Sequence, residues 1–498
     1  MRVTLISPYP DITAFGIRTM SAYLKQHGHK TQIIFMPDPF GDNLLYGVQR
    51  YEDHILDELI TLCNSSDLIG ITLMTNFFDN AVQITTVLKK AFDIPVIWGG
   101  VHPTIRPDES LEYADMVCIG DGEDPILDLV NKMADGDDYF NTANLWVKCN
   151  GSIIKNPVRP LPKDIDIFPL PDYSLEDHHI LFDGHIRPLT TEITRVCLER
   201  GTVSHYLKKI GYQTMTGRGC PHKCTYCIND TIKNLYAGQA YLRWRSIEHV
   251  IGELLWVKEH MPYVEYVWIS DDSFFARSPK NLEVFCNEYT EKIGLPFSCL
   301  GSPLTVNEEK MKLLVDAGLI YIQLGIESGS RTIQELFNRK NMSNQVMMKA
   351  IMTINKYTDK MFPPTYDFIL DVPYETDEDK IESLRFIAEI PKPFRLQPFS
   401  LVLYPGTKLY QMAKADGFIK DDRLEIYSKS YVMRKPNYLN LLMSLAKGGR
   451  FPSLLLKFMV SKDVVRILNS KALKPFFKYL NIMLRRGLHL TKKLLRRY

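Results

Sequence analysis

Long hydrophobic runs are missing from this chain. No stretch of about 18 uninterrupted apolar residues occurs in its 498, which excludes a conventional transmembrane helix. Cysteine is scarce, nine in all, and that excludes a disulfide scaffold. The first residues, MRVTLISPYPDI, hold one basic residue and only a short apolar run. No secretory signal is expected there, and a reducing cytoplasm is the expected location. Acid is nearly absent from one end: Leu441 to Tyr498 carries fourteen Lys/Arg against one acid, Asp463, a balance of +13. With +2 overall, the body before it carries −11. Such an asymmetry suggests a separate role for the tail. With 28 Gly, 29 Pro and 24% charged residues, the composition is neither disordered, collagen-like nor coiled-coil. The length suggests roughly two to four domains.

The first third alternates short apolar runs with helical patterns. Strands are expected at 3–7, 31–36, 67–74, 95–98 and 116–120, with helices at 13–26, 51–63, 80–92 and 125–134 between and after them. Strands spaced by single helices mean βαβ units and a parallel sheet. Residues 145–155 differ, because two short runs flank Asn150-Gly151, a hairpin signal. Five prolines between 157 and 172 read as a linker. A second series then predicts strands at 212–216, 264–270, 297–301, 320–326, 365–370 and 395–402. Helices are expected between them at 246–260, 279–292, 307–317, 343–357 and 376–389. Six strands with helical crossovers suggest an open or partial βα barrel, whose ligands sit at the carboxyl ends of the strands. No tandem repeat of 20–50 residues is present.

The strongest chemical signal is GRGCPHKCTYC (217–227). Cys220, Cys224 and Cys227 follow a predicted strand with the spacing C-x3-C-x2-C. Three thiolates in one Gly- and Pro-containing loop can wrap a small cluster and leave one metal open. A closed tetrahedral site wants a fourth ligand, and the next cysteines, Cys197 and Cys286, are far away in sequence. The alternative is a zinc knuckle completed by a distant ligand or by His222.

The motif resembles the radical S-adenosylmethionine (SAM) superfamily, in which three such cysteines bind a [4Fe–4S] cluster and SAM chelates its fourth iron. Further segments support the resemblance over residues 210–415. Tyr226 stands where an aromatic flanks adenine. WISDDSFF (268–275) ends the second strand, with Asp271 and Asp272 in place of a Gly-Gly-Glu signature near the SAM amino end. LGIESGS (324–330) is similar to the fourth-strand motif, which implies that Glu327 and Ser328 face SAM. ILDVPYETDED (369–379) resembles a G-x-P-x-E-T stretch, with Asp371 where glycine is common, and LYPGTKL (403–409) resembles the sixth-strand P-G-T turn. Taken singly, the acidic pair also reads as a cap, Glu327-Ser328-Gly329 as a turn, and Pro405-Gly406 as a turn.

A second resemblance lies upstream. ITLMTNFFDN (71–80), VIWGGVHPTIRPDE (96–109) and MVCIGDGED (116–124) are similar to the cobalamin-binding domain preceding the radical SAM domain in one large branch. The resemblance implies that Thr72, Gly99, Gly100, His102 and Gly120 line the path of the cobalamin nucleotide tail. Gly99 and Gly100 permit close backbone approach; the alternative is a generic strand–Gly–helix turn. The D-x-H-x-x-G ligand motif is absent, and PDITAFG (10–16) has no histidine. Cobalt without a protein histidine is therefore expected, and His102, a lone histidine before Pro103, reads as a loop hydrogen-bonder.

The tail segments 454–468 and 476–498 interleave Leu, Phe and Ile with Lys and Arg. They read as basic amphipathic helices on an anionic membrane surface. The alternatives are a cap packed on the acidic body and a nucleic-acid patch, although no RNA-binding signature accompanies the charge and no nucleic acid is expected.

The expected architecture is α/β. A doubly wound, Rossmann-like cobalamin-binding domain (1–150) and a Pro-rich connecting segment (151–209) precede a partial (β/α)6 radical SAM barrel (210–430) and a basic helical tail (431–498). The resemblance implies an enzyme with a [4Fe–4S] cluster, SAM and cobalamin. One electron splits SAM into methionine and a 5′-deoxyadenosyl radical, and cobalamin delivers a methyl group to an unactivated carbon of a small molecule or lipid. A flavodoxin- or ferredoxin-like electron donor is implied, together with a cytoplasmic location, peripheral at the inner face of the membrane if the tail binds there. The alternatives are cyclisation or rearrangement without net methylation, a non-catalytic cobalamin or redox sensor, and a structural zinc protein with a membrane tail.

Overall fold

A computed structural model describes residues 1–37, 50–427, 435–473, 475–477, 479, 480 and 483. The chain divides into two compact units. The first comprises Met1–Phe274, Glu283–Ser298 and Leu403–Lys429; the second comprises Phe275–Leu282, Cys299–Val402 and Ser430–Tyr498. No border between the units falls at 150 or 210, and one falls at Lys429/Ser430, next to the expected 430.

The first unit begins with β1 (Arg2–Ser7), α1 (Phe15–Gln26), β2 (Lys30–Phe35), α2 (Asp53–Cys63), β3 (Leu68–Thr72), α3 (Phe78–Ala91) and β4 (Val96–Gly99). Next come α4 (Val101–Ile105), α5 (Pro107–Leu111), β5 (Met116–Cys118), α6 (Glu123–Asp135), β6 (Leu145–Cys149) and β7 (Ser152–Lys155). After the proline-rich stretch lie β8 (His178–Phe182), β9 (His185–Pro188), α7 (Thr191–Glu199) and α8 (Thr202–Leu207). One nine-stranded sheet runs β7-β6-β5-β4-β3-β1-β2-β8-β9. Its parallel centre, 2-1-3-4-5, is a doubly wound order that switches direction between β1 and β3, where ligands bind outside the strand ends. Val3, Leu5, Ile6, Leu68, Ile69 and Ile71 are buried, as strands covered on both faces require.

The hairpin forms as its turn chemistry dictates. Asn150 and Gly151 both take positive φ (48° and 80°), and Cys149 pairs Ser152 across the turn. The segment 151–209 needs correction as a connection: β8 extends the sheet, with Ile33 opposite His178, and turns into β9 through Asp183-Gly184, again both at positive φ. That Asp-Gly pair is the same hairpin signal.

The second series continues with β10 (Gly211–Thr214), β11 (Gly217–Arg218), α9 (Ile228–Leu235), β12 (Arg243–Trp244), α10 (Ile247–His260), β13 (Tyr266–Ile269), α11 (Pro279–Lys292) and β14 (Phe297–Gly301). The chain passes between units within β14. The second unit adds α12 (Glu308–Asp316), β15 (Leu319–Glu327), α13 (Arg331–Leu336), α14 (Asn344–Asn355), β16 (Thr365–Leu370), α15 (Asp377–Glu389) and β17 (Arg395–Ser400). In the first unit, α16 (Lys408–Ala415) follows; the second continues with α17 (Tyr438–Ala446), α18 (Ser453–Met459) and α19 (Lys462–Leu468). Within the first unit β10 pairs β13 in parallel, and within the second β15, β16 and β17 pair in parallel in chain order, as successive βα units require. Among the described residues the first tail segment is two short helices rather than one, and most of 476–498 lies outside the described residues.

Candidate cofactor sites

The carboxyl ends of β1, β3, β4 and β5 face a cavity of ≈ 450 Å³. Thr72, Gly99, Gly100 and Gly120 line it from the sheet, and Thr214, Gly217, Arg218 and His249 line it from the second series, all within the first unit. The three glycines have different physical reasons. A Cβ on Gly99 would touch only the Cys118 Cβ, at 4.0 Å, so glycine there keeps the cavity side clear. Gly100 has φ +100°, and its Cβ would lie 2.8 Å from the Leu73 carbonyl. Gly120 has φ +81°, and its Cβ would lie 1.9 Å from the Tyr236 hydroxyl, which itself accepts from the Asp121 N–H at 2.9 Å. Gly100 and Gly120 thus answer first to the protein's own packing, and Gly99 to the cavity. Thr214, fully buried on the cavity wall, has a hydroxyl with no partner among the described residues. An apolar cavity with one orphaned hydroxyl and a glycine edge at the switch point suits a large ligand with amide and phosphate groups, as cobalamin is.

His102 needs correction. Its ring is not on the cavity wall: it is fully buried, packed on Phe78 and Tyr427 at 4.8 and 5.4 Å between centroids. Nδ1 lies 3.1 Å from the Thr75 hydroxyl, and Nε2 lies 3.7 Å from Glu109. Burial pushes its pKa down to about 3, so the ring is neutral.

The cysteine loop begins at β11, which pairs antiparallel with β12. Gly219 has φ +95°, where a Cβ would meet the Tyr241 carbonyl at 2.6 Å, so the chain turns tightly into Cys220. Cys227 is the N-cap of α9, whose first-turn N–H groups favour negative charge. Asn229 Nδ2 lies 3.8 Å from Cys227 Sγ and is itself oriented by the Tyr241 hydroxyl, 2.8 Å from Asn229 Oδ1. Cys224 is buried, Cys220 and Cys227 are half-buried, and none is in a disulfide. Burial pushes the Cys220 and Cys227 thiols up to about 12 and about 11, so thiolates there need a positive partner such as iron. Among the described residues no three His, Cys, Asp or Glu converge as around a single ion. A cubane cluster spreads its thiolates over separate irons and needs no such convergence. Tyr226 is half-buried within the loop.

Asp271 takes a different place from the expected one. Its buried carboxylate accepts from the Thr216 N–H and hydroxyl, both at 2.5 Å, and from the Gly217 N–H at 3.3 Å, which ties the start of the cysteine loop to the end of β13. Asp272 is the acid of the pair beside the thiols: it raises the pKa of Cys220 and Cys227, and enclosure by protein raises its own. The P-G-T turn also serves the loop. The Leu409 N–H donates to the Thr225 carbonyl at 2.9 Å, Thr231 Oγ1 to the Gly406 carbonyl at 2.7 Å, and Lys408 pairs Asp230 at 2.7 Å.

In the second unit, Glu327 ends β15 at a register shift with φ +67°, 3.8 Å from Arg339. Ser328 is buried; its hydroxyl lies 3.1 Å from that of Ser383 and accepts from the Ser330 N–H at 3.1 Å, so it organises the turn. Asp371 takes φ +63°, which explains why glycine suits that position. Its carboxylate accepts from Ser400, the Lys435 N–H and Asn440 at 2.8–2.9 Å.

Sequence reasoning missed the clamp joining the two halves of the first unit. Arg218, in the cysteine motif, donates to Glu123 at 2.5 Å and lies 3.4 Å from Asp121; buried Arg243 pairs Asp121 at 2.8 Å. The neighbouring acids after β5, in GDGED, and the arginine in GRGC were the signal.

The comparisons agree with this construction. Residues 1–130 match the B12 binding domain family, and residues 214–387 match the Radical SAM superfamily. An uncharacterized methyltransferase of Pyrococcus horikoshii is 26% identical over 362 residues, 71% of this chain and 70% of that protein. An anaerobic magnesium-protoporphyrin IX monomethyl ester cyclase of Rubrivivax gelatinosus is 23% identical over 378 residues, 74% of this chain and 60% of that protein. Among solved structures, the cobalamin-dependent SAM radical enzyme OxsB, with aqua-cobalamin and SAM bound, superposes with a TM-score of 0.65 at 15% identity. That match covers 98% of this chain and 75% of OxsB. The chain belongs to the radical SAM superfamily, in the branch that carries an N-terminal cobalamin-binding domain. A [4Fe–4S] cluster, SAM and cobalamin are its cofactors.

Proposed function

We propose that this enzyme transfers a methyl group to an unactivated carbon of a hydrophobic small molecule or lipid. The observation that carries the reading is the cavity at the switch point of the first sheet, walled on its other side by the strand that leads into the cysteine loop. When bound, the cofactors supply the radical and methyl chemistry. The chain supplies position. Cys220, Cys224 and Cys227 hold the cluster, and Asp271, through Thr216 and Gly217, fixes where their loop starts. Arg218 and Arg243, on Glu123 and Asp121, hold that loop to the cobalamin sheet. Asp272 and Tyr226 line the SAM side of the loop. Glu327 belongs to the SAM-facing turn of the second unit, and Ser328 shapes that turn.

A second reading is favoured by the cyclase among the relatives: ring closure without net methylation. Anaerobic reconstitution with iron, sulfide, hydroxocobalamin and SAM, followed by mass spectrometry, tests both. Methyl transfer yields S-adenosylhomocysteine from SAM alongside 5′-deoxyadenosine. 5′-Deoxyadenosine alone supports the cyclase reading. A cluster-loaded protein that cleaves no SAM overturns both and leaves a sensor.

A further inference from the structure

Nineteen large apolar residues are exposed among the described residues, and seven of them fall between Leu454 and Met483. The concentration begins on α18, where Leu454 is 84% exposed, Leu455 43% and Phe458 63%. These positions, i, i+1 and i+4, share one side of the helix. The opposite side is anchored. Leu456 is buried, Val460 just beyond the helix is buried, and the Tyr438 hydroxyl donates to the Met459 carbonyl at 3.0 Å. α18 packs on α15, and Lys457 reaches Glu389 at 3.8 Å. α19 repeats the pattern, with Val465 buried and Ile467 64% exposed. A structural cap explains Leu456, Val460 and Val465; it leaves Leu454, Phe458 and Ile467 in water.

The exposed charges of the segment 441–470 are Lys447, Arg450, Lys457, Lys462 and Arg466, with Asp463 its single acid; from α15, Glu389 lies beside Lys457 and Asp377 accepts from Asn469 at 2.7 Å. Apolar side chains exposed along a short helix that is anchored from behind, in a segment whose exposed charges are mostly basic, match the interfacial region of a bilayer. There hydrocarbon meets anionic headgroups within a few ångströms. Among the described residues no helix is long and apolar enough to cross a membrane, so the geometry is one of lying on it.

We propose that α18 and α19 dock on an anionic bilayer surface, with Leu454, Leu455 and Phe458 entering the acyl boundary and Lys457, Lys462 and Arg466 on the headgroups. This deepens the functional reading above, on which it rests only for the class of substrate: an enzyme held there draws on molecules dissolved in the membrane.

The experiment is flotation of the full-length holoenzyme with vesicles, one set of phosphatidylcholine and one with roughly a quarter phosphatidylglycerol. Binding is expected to the anionic set and to fall at high salt, because screening shortens the reach of the charges. Leu454→Asp with Phe458→Asp, both on the exposed side, should lower binding at least about tenfold. Lys462→Glu with Arg466→Glu should do the same. Circular dichroism and sedimentation of each variant accompany the assay. Equal binding by the Leu454/Phe458 variant, or indifference of the wild type to anionic vesicles, overturns the proposal. So does a concentration-dependent dimer that the same substitutions dissociate, which would assign the face to a second copy. SAM cleavage in vesicle-free buffer separates the two failures, since it tests the chemistry without the membrane.

Discussion

Arg218 Nη2 donates to Glu123 Oε1 at 2.5 Å, and with that contact a residue two positions before the first cysteine is held to the helix after the fifth strand of the cobalamin sheet. Glu123 is buried and Arg218 about a third exposed. Removing the cation leaves a buried carboxylate beside Asp121, for which Arg243 already competes.

Arg218→Ala should therefore destabilise the enzyme by about 1–3 kcal/mol, less than a fully buried pair because solvent screens the arginine. It should also loosen cobalamin while the iron content survives. Arg218→Lys should recover part of the stability, since an ammonium is a point charge without the guanidinium fork. Thermal denaturation and the visible spectrum after gel filtration measure both. A variant with wild-type melting and full cobalamin retention would mean that the clamp is ornamental.

The glycines around the cavity should separate by phenotype. Gly99→Phe fills open space and should block cobalamin while the fold melts near the wild-type temperature. Gly120→Ala drives a Cβ into the Tyr236 hydroxyl and should lower the melting temperature before any ligand is added. Thr214→Val removes the orphaned hydroxyl at constant shape. It should weaken hydroxocobalamin binding by about five- to tenfold, the size of one hydrogen bond. Titration followed by absorbance distinguishes these outcomes, and equal affinity in Thr214→Val would assign that hydroxyl to the protein alone.

Most of the strand and helix pattern was legible because each βα unit carries its own period. The runs 297–301 and 365–370 were read with the bounds the structure gives them. What escaped was pairing at a distance. β8 and β9 were hidden by the five prolines before them, although Asp183-Gly184 marked their turn. The neighbours Asp271 and Asp272 part company because one carboxylate turns back onto Thr216 and the other lies beside the thiols. Sequence order cannot express that difference. The motif around Gly100 and Gly120 was visible, yet the atoms that demand glycine there belong to Leu73 and Tyr236.

Acid should unfold the first unit through its buried histidine. The pKa of His102 falls to about 3 in the folded chain, against an ordinary value of 6.5, so the unfolded state takes up the proton first. Its contribution is fully present above pH 6.5 and is lost progressively as the pH falls toward 3, by about 1 kcal/mol per pH unit. His178, lowered to about 4 by burial, adds to the slope. Denaturant midpoints between pH 7 and 5 should fall with pH, and His102→Gln should flatten the profile. A profile unchanged by that substitution would place the acid sensitivity elsewhere.

Asp271 and Asp272 give the sharpest test of the cysteine site. Asp271→Ala removes the carboxylate that accepts from the buried Thr216 N–H and hydroxyl, a loss of about 1–3 kcal/mol, and loosens the strand that leads into Cys220. Iron per chain after anaerobic reconstitution should drop, and Asp271→Asn should restore part of it, because an amide oxygen still accepts from the Thr216 N–H. Asp272→Asn leaves the loop anchored and should keep its iron. Its effect belongs to SAM: a raised KM for SAM cleavage with iron unchanged. The two residues are adjacent in sequence and of one type, so any general loss of folding would strike both alike. Opposite outcomes, iron lost in one and SAM affinity in the other, can arise only if Asp271 positions the loop and Asp272 faces what binds there.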